Sequence, residues 1–353
     1  MAESSAAAAA ARRLTPVVRL APAKLNLTLA VLGRRPDGFH DLHSVMVPLL
    51  LADRLSVARA ATSTDTLRVD GLDAGPAADN LVLRAIALTR AAVGRAADAF
   101  PLAARLEKRI PVAAGLAGGS SDAAAAMDAA LEAWGLLEPA GAPRAEIAAL
   151  RVAVAARAGS DVPFFLAGGP ALVEGRGERV TPLAPIRGPA PGVVLVTPAV
   201  AASTPSVFGA LDAGGPAAPA DPRSTRLTSE HLAAELRAGL DGAGLVARAG
   251  VLASANDLAP AAASVLEGLT GLRRALARRL GRPVGVSGSG PTLWVLYPSA
   301  SAAEAAAGDV RRGIDDGSIV APGQTPPSII ATTVAGQAPD APTTTTKGHA
   351  TEG

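Results

Sequence analysis

Pro111-Val112-Ala113-Ala114-Gly115-Leu116-Ala117-Gly118-Gly119-Ser120-Ser121-Asp122 runs without a break into an alanine-rich stretch. Gly115, Gly118 and Gly119 permit left-handed or tightly curved backbone and remove side chains that would hold a ligand away. Ser120, Ser121 and Asp122 suit the N-cap or first turn of a helix. From Ala123 to Trp134 the composition favours helix, with Met127, Leu131 and Trp134 on one face, and Gly135 supplies a stop. A glycine loop opening onto a helix N-terminus presents unpaired N–H groups and the positive end of a helix dipole. That is an anion site, and phosphate is its usual occupant. Neither G-x-x-x-x-G-K-[ST] nor G-x-G-x-x-G occurs here. The glycines alone fit a tight strand-to-helix turn equally well. The paired serines favour function, because two hydroxyls at a helix start can reach phosphate oxygens.

The chain has 353 residues, enough for two domains with separate cores. It is 49% hydrophobic but only 2% aromatic, so the core must be built from Ala, Val and Leu. The net charge of +2 comes without any Lys/Arg block, which speaks against nucleic-acid binding. The absence of cysteine excludes disulfides and thiolate chemistry. No apolar run is long enough to span a membrane. Met1 to Arg13 is an alanine run with Glu3 before it and Arg12 and Arg13 after it, the wrong charge order for a signal peptide. A disordered leader and a cytoplasmic protein are expected. Lysine occurs only at Lys24, Lys108 and Lys347, with Arg supplying the other positive charges. Lys347 needs no special role; Lys108, beside Arg109, is open to either reading.

Val17 to Leu32 reads as a strand on which Lys24, Asn26 and Thr28 share the polar face. Pro36-Asp37-Gly38 makes a turn, and a second strand runs from Phe39 to Leu51. Asp79-Asn80-Leu81 caps a helix reaching about Ala97, and Leu102 to Ile110 is a strand leading into the glycine loop. A helix over Arg144–Arg157 stops at Gly159. Asp161 follows as a lone carboxylate in an apolar, sharply turning segment, where a turn or cap role is the commoner fate. A hairpin is expected over Ala171–Val180, a domain junction over Pro182–Pro191 and a buried strand over Val193–Val196. Ala213–Pro222 reads as a flexible insertion. Further helices are expected at Ser229–Ala238, Ala259–Glu267 and Leu272–Leu280. A second glycine loop, Ser287-Gly288-Ser289-Gly290-Pro291, precedes a strand at Leu293–Tyr297; it could be a hairpin turn or could close over the first loop. Beyond Ala321 the composition predicts disorder.

Three segments in this order resemble the three motifs of the GHMP kinases: Ala21-Pro22-Ala23-Lys24-Leu25-Asn26-Leu27, the Pro111–Ser121 loop, and Ser287–Pro291. The resemblance covers roughly Leu20 to Tyr297. Gly33–Leu42, Asp79–Val82, Gly159–Phe164 and Asn256–Leu258 resemble further segments of one branch of that family. The resemblance implies an α+β fold of two domains, the first like the second domain of ribosomal protein S5 and the second ferredoxin-like. The expected layout is a leader (1–15), an N-terminal domain with the ATP loop (16–184), a C-terminal domain (190–320) and a disordered tail (322–353).

The same resemblance implies a kinase that uses ATP and Mg²⁺. Pro111, Val112, Ala113, Ala114, Gly115, Leu116, Ala117, Gly118, Gly119, Ser120 and Ser121 would hold the triphosphate. Asp161 would act as base and Lys24 would lie beside it. The acceptor would be a cytidyl methylerythritol, its cytosine between Phe39 and Phe208, with His40 reading its edge and Asn26 helping to bind it. An acceptor of the homoserine or mevalonate type is the alternative, disfavoured by Gly38-Phe39-His40. The partners are small molecules, with neither nucleic acid nor membrane, and the protein is expected to be a monomer or homodimer. His40 and His43 form an H-x-x-H pair with no evident third ligand, so a metal role is not expected. Ala113 and Ala117 stand where many members carry Gly, and Phe39 stands where Tyr is commoner.

Overall fold

One long strand organises the first half of the chain. The computed structural model describes residues 15–94, 99–138, 143–200, 203–218, 222–323 and 325–336. Strand β3 (His40–Arg59) pairs antiparallel with β1 (Val17–Asn26), β2 (Ala30–Arg34), β5 (Leu102–Lys108) and β6 (Ala171–Gly175). β4 (Thr66–Gly71) extends the sheet parallel to β5, and β7 (Arg179–Pro182) closes its other edge against β6. Residues Leu27–Leu29 interrupt the strand expected over Val17–Leu32: Leu27 N–H bonds Val45 O, and Leu29 N–H bonds Ala255 O.

Three helices cover one face of this sheet: α1 (Leu81–Val93), α2 (Gly118–Ala133) and α3 (Ala145–Ala158). Asn80 caps α1 by accepting from Val82 N–H. α2 is buried on nearly all sides of its first half, where Ala123, Ala124, Ala125 and Ala126 pack. Small side chains let it lie close to β1, β3 and α1, which answers the shortage of aromatics. Trp134, one of the two tryptophans, ends this helix and donates Nε1–H to Phe100 O at 3.1 Å.

The second half builds an antiparallel sheet in the order β11 (Ser328–Thr333), β8 (Gly192–Thr197), β10 (Leu293–Tyr297), β9 (Gly285–Val286). Around it stand α4 (Thr204–Ala213), α5 (Pro222–Arg237), α6 (Gly242–Ala247), α7 (Ala249–Leu252), α8 (Ala259–Val265), α9 (Leu269–Leu280) and α10 (Ala300–Asp315). A continuous apolar cluster joins the two sheets, with Leu25, Leu27 and Leu116 from the first half meeting Val193, Leu195 and Trp294 from the second. Full burial of each such side chain contributes roughly 1.5–3 kcal/mol, so the cleft between the halves has a rigid floor.

Two expectations are corrected. The tail expected to be disordered over 322–353 begins with an ordered edge strand: β11 pairs along the whole of β8, because Ile329 and Ile330 offer apolar side chains to an otherwise unpaired edge. Residues 337–353 lie outside the described residues, as do residues 1–14 of the leader. The flexible insertion expected over 213–222 is corrected where the chain is described. Ala213 ends α4, Gly215–Ala217 form a 3₁₀ turn, and Ala217 is buried in the second core; 219–221 are outside the described residues.

Candidate active site

The glycine loop and the second glycine loop face one another across a cleft of about 450 Å³. The first helical N–H bonded within α2 is that of Ser121, to Ala117 O at 3.0 Å. By helix geometry the amides of Gly118, Gly119 and Ser120 have no partner in the same helix, and they open the anion site expected there. Ala113 and Ala117 both hold left-handed backbone, at φ of 52° and 53°. Their methyl groups therefore impose strain on the loop without removing a donor.

The two loops are in direct contact. Ser287 Oγ–H donates to Gly115 O at 3.0 Å, and Thr292 N–H reaches Ala114 O at 3.4 Å. Gly115 has φ of +76°, and a Cβ there would lie 2.2 Å from Ser287 O. The second loop thus closes on the first rather than making an isolated hairpin turn.

Lys24 enters from β1 and is 3% exposed. Its Nζ donates to Asn26 Oδ1 at 2.6 Å and Gly115 O at 2.8 Å, and it lies 3.8 Å from Asp161 Oδ2. Burial lowers the Lys24 pKa, while Asp161 pulls it up. Asp161 stands in the turn after α3 with its side chain 34% exposed, open to the cleft. Gly177 makes room for that turn, since a Cβ there would lie 2.2 Å from Ser160 O. Asn26 donates its amide to Ser44 Oγ at 2.9 Å and lines the cleft with Lys24. Thr28, expected on the same polar face, points elsewhere and bonds Ser229 Oγ at 2.9 Å.

Most of the loop lines the cleft: Pro111 to Gly115 and Ala117 to Ser120. Leu116 and Ser121 do not. Leu116 is 1% exposed because its side chain fills the core between the sheets, and only its backbone serves the site, accepting from Lys24 N–H at 3.0 Å. The Ser121 hydroxyl is buried with no hydrogen-bond partner among the described residues.

The aromatic clamp differs from the expectation. The ring that stacks on Phe208 is His40, with centroids 4.7 Å apart and planes 24° from parallel. His40 lies there because its Nε2 bonds Asp212 Oδ1 at 2.7 Å. Phe208 lines the cleft, whereas Phe39 is 46% exposed with the Arg176 guanidinium 5.2 Å from its ring centre. A base can lie on that face of Phe208 only if His40 swings away. His43 takes a separate partner, Ser229 Oγ at 2.8 Å, and the buried imidazole has its pKa lowered chiefly by burial.

Several residues at the cleft were not picked out in the sequence. Ser203 and Thr204 line it, as do Asn80, Leu81 and Ser289, which lie in family-like segments but were given no site role. Thr204 Oγ1 and Ser289 Oγ, 3.1 Å apart, tie α4 to the second loop. Asp212 carried no motif signal. Lys108 was marked only by rarity; its ammonium is buried between Asp53 and Asp122.

With this geometry in view, comparison with known proteins is decisive. The family model for the GHMP kinases N terminal domain matches residues 80–169, and that for GHMP kinases C terminal matches residues 236–315. A 4-diphosphocytidyl-2-C-methyl-D-erythritol kinase from Pelotomaculum thermopropionicum is 39% identical over 298 residues, 84% of this chain and 94% of that one. The chain belongs to the GHMP kinase family.

A crystal structure of 4-(cytidine 5'-diphospho)-2C-methyl-D-erythritol kinase superposes with a TM-score of 0.62 at 31% identity, covering 90% of this chain and all of that one. A homoserine kinase structure from Cytophaga hutchinsonii reaches a TM-score of 0.61 at 18% identity over 91% of this chain and 96% of that one, a likeness of fold alone. The two-domain α+β fold is thus that of the GHMP kinases. Members of the family are ATP-dependent kinases acting on small molecules, and so is this chain. No helix among the described residues is long and apolar enough to cross a membrane.

Proposed function

We propose that the chain is an ATP-dependent kinase that phosphorylates the 2-hydroxyl of 4-diphosphocytidyl-2-C-methyl-D-erythritol on the non-mevalonate route to isoprenoid precursors. The observation that carries this reading is the Lys24–Asp161 pair, 3.8 Å apart beside the phosphate loop, in a chain 39% identical to a relative of that name. The homoserine kinase likeness supports the fold but does not select an acceptor.

In this reading the amides from Gly115 to Ser120 hold the triphosphate. Phosphoryl transfer has a loose transition state, so positioning and charge stabilisation do most of the work. The acceptor oxygen forms its bond to the γ-phosphorus as the bond to the ADP oxygen breaks, and the hydroxyl proton passes to Asp161. A positioned base contributes about 10²–10⁴-fold. Lys24 sets a positive charge beside Asp161 and, through Gly115 O, fixes the loop relative to the acceptor. Phe208 supplies a flat surface for a heterocycle once His40 swings off it.

Mg²⁺ would be carried in on the triphosphate, where it would neutralise phosphate charge. We place the enzyme in the cytoplasm, as a monomer or homodimer. ADP release, measured with ATP and a panel of acceptors, tests the reading. Turnover with the cytidyl methylerythritol and little with homoserine or mevalonate is expected; the reverse preference overturns it.

A further inference from the structure

A buried ion cluster lies directly behind the phosphate loop. Asp53 on β3, Lys108 at the end of β5 and Asp122 in the first turn of α2 are 0%, 5% and 1% exposed. The Lys108 ammonium contacts Asp53 Oδ2 and, at 2.7 Å, Asp122 Oδ2. Asp53 Oδ1 accepts from the backbone N–H groups of Arg109 (2.5 Å) and Ile110 (2.9 Å). The residues just before Pro111 and the residue just after Ser121 are therefore joined through three side chains, which close the loop at its base. Gly118 leaves the room for this: a Cβ there would lie 2.8 Å from Lys108 Nζ.

The cluster is unbalanced, with two carboxyl groups against one ammonium. Asp122 Oδ1 is buried and has no hydrogen-bond partner among the described residues. A full negative charge on that oxygen is poorly solvated. Asp122 and Lys108 also line the cleft, where a bound triphosphate adds negative charge nearby. Burial pushes the Asp122 carboxyl up to about 7; Lys108 opposes this and Asp53 adds to it. Those two are the charged groups acting on Asp122 from the neighbouring strands, and Lys24 and Asp161 line the same cleft.

We propose that Asp122 is a proton-linked positioning residue of the phosphate loop, divided between its ionised and protonated forms near neutrality when the loop is empty and held protonated at Oδ1, by a proton from solvent, when the triphosphate binds. Protonation leaves Lys108 and Asp53 as a balanced pair holding the loop, and gives Asp122 a neutral carboxyl beside the phosphates. Because the bound state holds the extra proton, ATP affinity falls as pH rises through neutrality.

The test is the KM for ATP from about pH 6 to about pH 9 in the wild type and in Asp122→Asn, a neutral isostere. The nucleotide's own titration is common to both and cancels in the ratio. The ratio of wild-type to variant KM is expected to climb at least ~5-fold across that range. Parallel profiles overturn the proposal, and they are what a purely structural Asp122 would give. A second measurement needs no variant: the carboxyl ¹³C titration of Asp122 in the whole protein, with and without a non-hydrolysable ATP analogue. The midpoint should move up with the analogue, and an unmoved midpoint overturns the proposal. Parallel profiles in an active kinase sink only this inference, whereas loss of all turnover in the wild type would sink the kinase reading itself.

Discussion

Lys24 Nζ stands 3.8 Å from Asp161 Oδ2 and 2.8 Å from the carbonyl oxygen of Gly115. One ammonium thus links β1, the phosphate loop and the turn after α3. The chemistry and the nucleotide anchor share a part, and the consequences of removing each partner should differ.

Asp161→Asn removes the base but leaves Lys24 bonded to the loop. Its kcat should fall by about 10²–10⁴-fold with the KM for ATP nearly unchanged. Lys24→Ala should lower kcat as well, and it also leaves Gly115 O with Ser287 Oγ–H alone. A charged hydrogen bond contributes about 1.5–3 kcal/mol, so the KM for ATP should rise by at least about tenfold in that variant. Steady-state kinetics of both variants checks this; near-wild-type turnover in both would remove the pair from the mechanism.

The same pair sets an alkaline limit. Burial is the larger influence on Lys24 and lowers its pKa from the ordinary lysine value of 10.5, with Asp161 opposing. The folded protein therefore binds fewer protons at Lys24 than the unfolded chain between the lowered value and 10.5, and stability from this group rises with pH across that window. Activity runs the other way, because loss of the Lys24 proton discharges the pair. The kcat profile should turn down below 10.5, and in the residual activity of Asp161→Asn the turn should come at still lower pH. An alkaline limb that moves up in the variant contradicts the assignment.

Phe208→Ala should raise the KM for the cytidyl substrate more than the KM for ATP. Ring stacking contributes about 0.5–1.5 kcal/mol, so a change of roughly 2–10-fold is expected. His40 now enters the same prediction, because it is the ring that lies on Phe208 and is held there by Asp212. His40→Ala uncovers the Phe208 face, so its KM for the cytidyl substrate should rise less than in Phe208→Ala. Equal effects on both substrates would argue against stacking.

What the sequence revealed follows the range of each interaction. The loop, its helix and the strand before it are local, and glycine spacing and serine placement announce them. Lys24 stood out by rarity, and the family motifs supplied Asp161 as its partner. The pairings that complete the site are non-local. Asp53 and Lys108 lie 55 residues apart, His40 and Asp212 lie 172 apart, and no periodicity joins them. Ser328-Ile329-Ile330-Ala331-Thr332-Thr333 lies in a stretch whose composition predicts disorder; only β8, more than a hundred residues earlier, gives β11 a partner. α10 was missed because its alanine-rich run carries few large apolar residues to mark a face. Leu116 lies inside the phosphate motif yet serves the core, a division of labour that a contiguous motif conceals.

The loop's backbone offers the sharpest contrast between neighbouring positions. Ala113 and Ala117 hold left-handed φ, which costs an L-residue about 1–2 kcal/mol, against the 0.5–1 kcal/mol entropic cost of glycine. Ala113→Gly and Ala117→Gly should each therefore stabilise the protein by about 0.5–1 kcal/mol, read as a higher Tm or denaturation midpoint. Gly115→Ala should do the reverse. At φ of +76° its new Cβ would meet Ser287 O at 2.2 Å, where neither backbone can yield without parting the two loops. That parting displaces Gly115 O from both Lys24 and Ser287 Oγ, so stability and kcat should fall together. Gly119→Ala is the control within the same loop: its Cβ would meet only Leu81 Cδ1, at an ordinary 3.5 Å, and the variant should fold with no loss of Tm. A Gly115→Ala protein as stable as Gly119→Ala would mean that the two loops do not touch in solution.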